Sequence, residues 1–341
     1  MSPEWKDKIY DEDIISKPIL EHIIRTHHIV TSDPYYSEQL KNKELKAIEN
    51  DGFNNNVHLE LSLRGCKGTT EEEKEKERNS KDYVDIEQAL INAKKYCEEH
   101  FNGKITPRLL QELGCKIHPE MEFPRWRFKK ITLNLSQPPC NYVRVPDHIN
   151  TLISDLKNIP NPVKQAVYSH LAIYRIQPIN DGNKRLARLV QNAILHYNGY
   201  PAPIIPEFES DKYLKILNAA YDAQQDRLSS DDKIAKMYIA ERNLYDYLGE
   251  KISTSLDNIK RRLDQDKKYE VIVISPKAQK PLMMGLKHSF SSIIRKRNLP
   301  GSVRLTDGRL IIKGPFEMGT LKTVIDSNYK IKKYEIRPYR K

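Results

Sequence analysis

Two apolar helical runs meet at a turn that few backbone paths can make, and this constrains the chain more than anything else in it. Residues 162–176 carry Val163, Val167, Leu171 and Tyr174 at helical spacing. Pro178 cannot continue that helix. Asp181-Gly182-Asn183 can turn tightly, because glycine lets the backbone approach closely. A second helix is expected to open near Lys184 or Arg185 and to run to about 198. Gly199-Tyr200-Pro201 closes it. A chain built around such a pair of packed helices is expected to be mainly α.

The start of the second helix has chemistry of its own. Its first backbone N–H groups lack intrahelical partners and its dipole end is positive, so it is a ready site for phosphate. Arg185 and Arg188 lie three apart and share a helix face, from which both can reach an anion. The Asp181 carboxylate is the ligand type Mg²⁺ prefers. The Asn183 amide can donate to a phosphate oxygen. A surface turn with solvated arginines would contain the same residues, so the turn alone does not decide.

The rest of the chain falls into four parts: 1–68, a core over 83–250, a linker helix over 251–268, and a tail over 269–341. Helical spacing covers 12–50, with Ile14, Ile15, Ile19 and Leu20, then Leu40, Leu45 and Ile48. Residues 69–82 are a charge run that suits a solvated helix face or loop. Helices are expected at 83–100, 106–113 and 148–157, with more helix to about 264. Ile131, Leu133 and Leu135, then Tyr142 to Val145, alternate in character around Pro138-Pro139 and suggest a hairpin. The tail reads β, α, β, β, α, β, with Thr306-Asp307-Gly308 as the turn of a hairpin. That order is the ferredoxin-like one.

Beyond its turn, residues 177–188 resemble the signature of the Fic/Doc family, His-x-Phe-x-Asp/Glu-Gly-Asn-Gly-Arg-x-x-Arg. The stretch from His170 to Ile176 is similar to that family's lead-in helix. Leu189 to Leu195, Gly199-Tyr200-Pro201, Ile204-Ile205-Pro206, Tyr213-Leu214 and Leu217 to Ala219 are similar to the family's segments after the signature. Residues 128–146 stand where the family has a flap hairpin, and the likeness spans about 12–250. It implies a helical domain that binds ATP and transfers AMP to a protein hydroxyl. It implies Asp181 as the Mg²⁺ ligand, and Gly182, Asn183 and Lys184 as an anion hole. Arg185 would hold phosphate, and Arg188 would hold the γ-phosphate or pair with an inhibitory glutamate. Leu45-Lys-Ala-Ile-Glu49-Asn50 resembles the inhibitory motif Ser/Thr-x-x-x-Glu-Gly/Asn, with Leu45 in place of the hydroxyl residue and Glu49 as the inhibitory carboxylate. A protein target would meet the flap.

The likeness breaks at the reacting centre. Gln177 stands where the family has its catalytic histidine, and a neutral amide has no accessible pKa for taking a proton. Ile179 replaces a phenylalanine and can plug the core beneath the loop. Lys184 replaces the second glycine, as in the Doc branch, where the corresponding lysine goes with phosphate transfer. The expected function is a degenerate Fic-like module that binds a nucleotide or phosphorylated ligand, with Mg·ATP the expected one, without efficient AMP transfer. One alternative is an active transferase or hydrolase with rearranged chemistry, in which the glutamine positions water.

Charge supplies a further alternative. Residues 251–341 hold 22 Lys and Arg against 8 Asp and Glu, a surplus of 14. The whole chain is +11, so residues 1–250 carry about −3. A basic tail of this kind suits nucleic acid or an acidic protein face. Arg295-Lys296-Arg297, Lys332-Lys333 and Arg337 supply charge, and Tyr329, Tyr334 and Tyr339 could stack on bases, although the strand Arg309 to Lys313 lacks the aromatic pair that stacking sheets use. Four cysteines without a CxxC are expected to be reduced thiols in a cytoplasmic protein. Cys97-x-x-His100 and Cys115-x-x-His118 would be zinc ligands only if the fold joined them, and are read as ordinary pairs near helix ends. The polar start is expected to carry no signal peptide, and no window approaches the ~20 apolar residues of a membrane span.

Overall fold

The computed structural model describes residues 14–32, 81–118, 121–130, 139–225, 231–266, 268–273, 279–296, 301–306, 309–314, 316, 318–327, 331 and 333–338. Glu49, residues 69–80 of the charge run and the Ile131 to Leu135 arm of the expected hairpin lie outside them. The chain divides into two compact units, one ending at Leu256 and the other beginning at Asp257; of the earlier described residues, His28–Ser32 group with the second.

The first unit is helical. Its described helices are α1 (Lys17–Ser32, in this unit as far as His27), α2 (Lys81–His100), α3 (Pro107–Ile117), α4 (Val145–Leu156), α5 (Pro162–Ile176), α6 (Asn183–Tyr197) and α7 (Ser210–Gln225). The next, α8 (Asp231–Asp266), carries the chain into the second unit. Helix α5 is the centre. Asn161 caps it, accepting from the Val163 and Lys164 amides at 2.9 and 3.1 Å, with Pro162 preset at its first position. Every residue from Ala166 to Ile176 is buried, as a helix surrounded by others must be. Helices α4, α6 and α7 pack against it. Helix α3 packs on both α2 and α6 and so lies against the start of α6.

Several polar groups in this core are paired. The Tyr168 hydroxyl donates to Asp155 at 2.6 Å, and Tyr174 to Asn218 at 2.8 Å. Arg175 donates to the Ala220 carbonyl at 2.7 Å and to Glu241 of α8 at 2.5 Å. His170 is fully buried. It contacts Gln191 through Nδ1 and accepts the Tyr213 hydroxyl at Nε2, 2.8 Å away. Burial, helped by Arg188, pushes its imidazole down to about 3, so it stays neutral. It is a core histidine.

One expectation fails here. Tyr142 to Val145 is not a strand: Tyr142–Arg144 is a 3-10 turn and Val145 opens α4. The Asn141 side chain accepts the Val143 amide at 3.1 Å, which a strand would need for its ladder. Pro146 then sets the first turn of α4.

The second unit holds a four-stranded antiparallel sheet in the order β2-β3-β1-β4. Its strands are β1 (Lys268–Val273), β2 (Ser302–Thr306), β3 (Arg309–Lys313) and β4 (Tyr334–Pro338). Helices α9 (Gln279–Lys296) and α10 (Met318–Asp326) join them. This is the ferredoxin-like order. Tyr269, Val271, Leu310 and Ile312 pack with Leu286, Phe290 and Leu321 of the helices. Tyr334 packs on that same core and donates to Asp326 at 2.7 Å, so it is not the stacking residue expected from sequence. Among the described residues, no helix is long and apolar enough to cross a membrane.

The buried charges generate two predictions. Glu241→Ala strands the Arg175 guanidinium, whose pair is 7% and 8% exposed, and is expected to cost about 3–5 kcal/mol in urea unfolding. His170 binds its proton more weakly folded (about 3) than unfolded (6.5), so its contribution is full above about 6.5. That contribution is lost as pH falls toward 3, at up to about 1.4 kcal/mol per pH unit. A His170→Gln variant should show a shallower decline of stability with acid than the parent.

Candidate phosphate site at the start of helix α6

The turn between α5 and α6 is held from several sides. Gln177 ends α5 with φ 50° and ψ 61°, the one non-glycine residue at positive φ among those described. That conformation costs a side-chain-bearing residue on the order of 1–2 kcal/mol. It is over-determined here. The Gln177 amide donates to the Ile173 carbonyl at 2.9 Å, and its side-chain Nε2 donates to the Tyr174 carbonyl at 2.6 Å. The Gln177 side chain is therefore turned back onto the last carbonyls of its own helix. The residue is only 3% exposed.

Arg127 completes the lock, and no sequence signal singled it out. Its Nε donates to the Gln177 carbonyl at 2.6 Å, and its Nη2 reaches the Ile176 carbonyl at 3.5 Å and the Cys140 carbonyl. Its own amide donates to the Pro178 carbonyl at 2.9 Å. A cation at the carbonyl end of a helix also meets the favourable end of the dipole. The Cys140 thiol donates to the Ile176 carbonyl at 3.3 Å; burial raises its pKa, against the pull of Arg127. Arg127 and Cys140 lie on either side of residues 131–138 in sequence, and both are tied to the turn.

The other expected residues gather at the start of α6. Gly182 is its N-cap, at φ 83° and ψ 13°. A Cβ there would lie 2.6 Å from Ile117 and 3.1 Å from the Arg185 guanidinium, so glycine is required for space as well as conformation. Thr106 and Asn161 cap α3 and α5 with their side chains, whereas Gly182 has no side chain to offer the first amides of α6. Asn183 is placed differently from expectation. Its Oδ1 accepts the Ile179 amide at 3.0 Å and its Nδ2 donates to the Ile179 carbonyl at 2.8 Å. Its amide closes the turn from within. Ile179 fills the core beneath, and a Cβ at Gly114 of α3 would meet it at 2.8 Å.

Arg185 is 4% exposed and donates to the Ile117 carbonyl at 3.2 Å and to Asp181 at 3.1 Å. Asp181 is 60% exposed, so a metal has access to its carboxylate. Lys184 is partly exposed, and Arg188, one turn along, is buried close enough to depress the His170 imidazole. Asp181, Gly182, Asn183, Lys184, Arg185 and Arg188 thus share one helix end. The zinc reading fares differently: Cys97 sits in the core with its thiol pushed up to about 12, while His100 is exposed and contacts the Tyr96 carbonyl.

Comparison with known proteins agrees with this architecture. Residues 104–195 match the model of the Fic/DOC family. A protein adenylyltransferase Fic from Drosophila persimilis is 42% identical over 60 residues, which is 18% of this chain and 12% of that protein. One from Nematostella vectensis is 34% identical over 106 residues, 30% of this chain and 25% of that protein. The matched stretches are thus a quarter or less of these relatives' own lengths. A Fic domain containing signaling protein from Bacteroides thetaiotaomicron shares the fold at TM-score 0.50 and 22% identity, over 70% of this chain and 95% of that one. A Fic family protein from Desulfovibrio desulfuricans does so at TM-score 0.51 and 13% identity, over 92% and 85%. With the helix pair, the glycine-capped turn and this match in hand, residues 104–195 are those of a Fic/DOC family domain.

Proposed function

We propose that the turn at 177–188 binds a nucleotide or another phosphorylated ligand, with Mg·ATP the first choice, and that it does so without efficient AMP transfer. The observation that carries this reading is the pairing of a glycine-capped α6 with Gln177 at the reacting position. The phosphate end of the ligand would lie over the first amides of α6, with Arg185 and Arg188 lowering the cost of its charge. Asp181 would hold Mg²⁺, which would draw charge from the phosphates. The relatives named protein adenylyltransferases supply the reason to put ATP first.

The weak step would be proton removal from an attacking hydroxyl. Gln177 has no group to take that proton, and its amide is engaged with the Tyr174 carbonyl. His170 does not replace it, since it is buried between Gln191 and Tyr213. A protein partner would approach past residues 128–146, where Phe128, Tyr142 and Val143 are exposed at 54%, 40% and 67%. Glu49 would regulate the site by pairing with Arg188, as the family resemblance implies.

Isothermal titration with Mg·ATP tests the proposal. Binding at micromolar concentrations is expected, and Asp181→Ala with Arg185→Ala should weaken it at least tenfold. Absence of binding, including in a Glu49→Gly variant, would rule the nucleotide site out.

A further inference from the structure

Among the described residues, the sheet of the second unit has one face under α9 and α10 and one face that no described helix packs on. Strand alternation puts Tyr269, Val271, Leu310, Ile312, Val303 and Ile336 on the covered side. The open side therefore carries Ser302, Arg304 and Thr306 of β2 and Arg309, Ile311 and Lys313 of β3. It also carries Glu270 and Ile272 of β1 and Glu335 and Arg337 of β4. The register lines up Arg304, Ile311, Glu270 and Arg337 in one row across all four strands. That row spans three strand spacings, roughly 14 Å.

Glu270 organises this face. Its carboxylate side chain is 7% exposed and accepts Arg309 at 3.0 Å and Arg337 at 2.7 Å. Burial alone would raise its pKa, and the Arg337 and Arg309 hydrogen bonds outweigh that and lower it. The two arginines stay 53% and 44% exposed, so their guanidinium planes are held in place while still facing solvent. Arg304, at the far edge, is exposed. Arg304, Arg309, Lys313 and Arg337 stand on the face against the carboxylates of Glu270 and Glu335, around an apolar middle of Ile272 and Ile311.

We propose that this open face binds single-stranded nucleic acid, its phosphates meeting the arginines and its bases lying over Ile311, Ile272 and the fixed guanidinium planes. Charge complementarity selects an anionic polymer, and the surplus of 14 positive charges in residues 251–341 strengthens the attraction. A sheet face suits a single strand. Among the described residues, the face projects no helix or ribbon that could enter a duplex groove, whereas splayed bases stack on guanidinium planes. No aromatic side chain of the described strands lies on the face, so recognition is tolerant of sequence.

The test uses the full chain and fluorescein-labelled poly-U and poly-dT of about twelve nucleotides, a length within the usual span of single-strand sites. Anisotropy is read across a salt series without Mg²⁺ or ATP. Binding is expected to weaken linearly in log salt. Arg304→Glu, which leaves the Glu270 pairs intact, should reduce the slope by about 0.7. A combined Glu270→Gln, Arg309→Gln, Arg337→Gln variant removes cations and carboxylate together and should reduce it by about 1.4. Should that variant fail to fold, the Arg304→Glu result decides. Three outcomes overturn the proposal: no binding at about 20 mM salt, where phosphate contacts are strongest; a slope unchanged by Arg304→Glu; or tighter binding to a duplex or to polyglutamate than to either single strand.

Discussion

A single buried guanidinium holds the chain where it leaves α5. Arg127 donates to the Gln177 carbonyl and reaches the Ile176 carbonyl, while its amide donates to the Pro178 carbonyl. Without these bonds the left-handed Gln177 would have less to hold it, and the turn would relax toward ordinary backbone. The placement of Ile179, Asn183 and Gly182 depends on that fixed exit. Ile179 drops against Gly114, Asn183 clasps the Ile179 backbone with both atoms of its amide, and Gly182 turns the chain beneath Ile117. The first amides of α6 then lie at a defined place, beside Arg185 and Asp181.

Much of this is legible in the residues, for local reasons. Asn161-Pro162 and Pro178 bound α5, and Gly182 announces the tight turn. Ile179 has the size and character to plug the core, and it does so. Hairpin chemistry and β-branched runs give the ferredoxin-like strand order of the second unit. The features that escape are non-local. Arg127 acts on a carbonyl 50 positions away, and no spacing rule announces such a pair. Asn183 offers an amide that suits phosphate, and nothing in the sequence says that Ile179 takes both of its atoms. Tyr142 to Val145 alternates like a strand over only four residues, and the Asn141 cap overrides that. Tyr334 offers a ring for bases, but it packs toward the helices and bonds Asp326.

The two units point to separable chemistry. In the first, a cationic helix end is held rigid from three elements, while the position that would take a proton carries an amide bonded to its own helix. Rigidity of this kind suits binding, because the donors are already in place when the anion arrives. In the second, a buried carboxylate fixes two arginines on an open sheet. Both arrangements use the same device, a guanidinium restrained by a carboxylate or carbonyl so that its remaining edge is oriented before a ligand appears.

The central claim is that the site at α6 retains its phosphate-binding parts and lacks only the base. Transfer of α-³²P-labelled AMP to the chain itself, or to added protein, measures this directly when the parent is compared with Gln177→His. Labelling in the histidine variant should exceed that of the parent by about 10²–10⁴-fold, and should disappear on adding Asp181→Ala. Equal labelling of parent and variant would contradict the claim. So would an unlabelled variant that binds Mg·ATP no better than the Asp181→Ala chain.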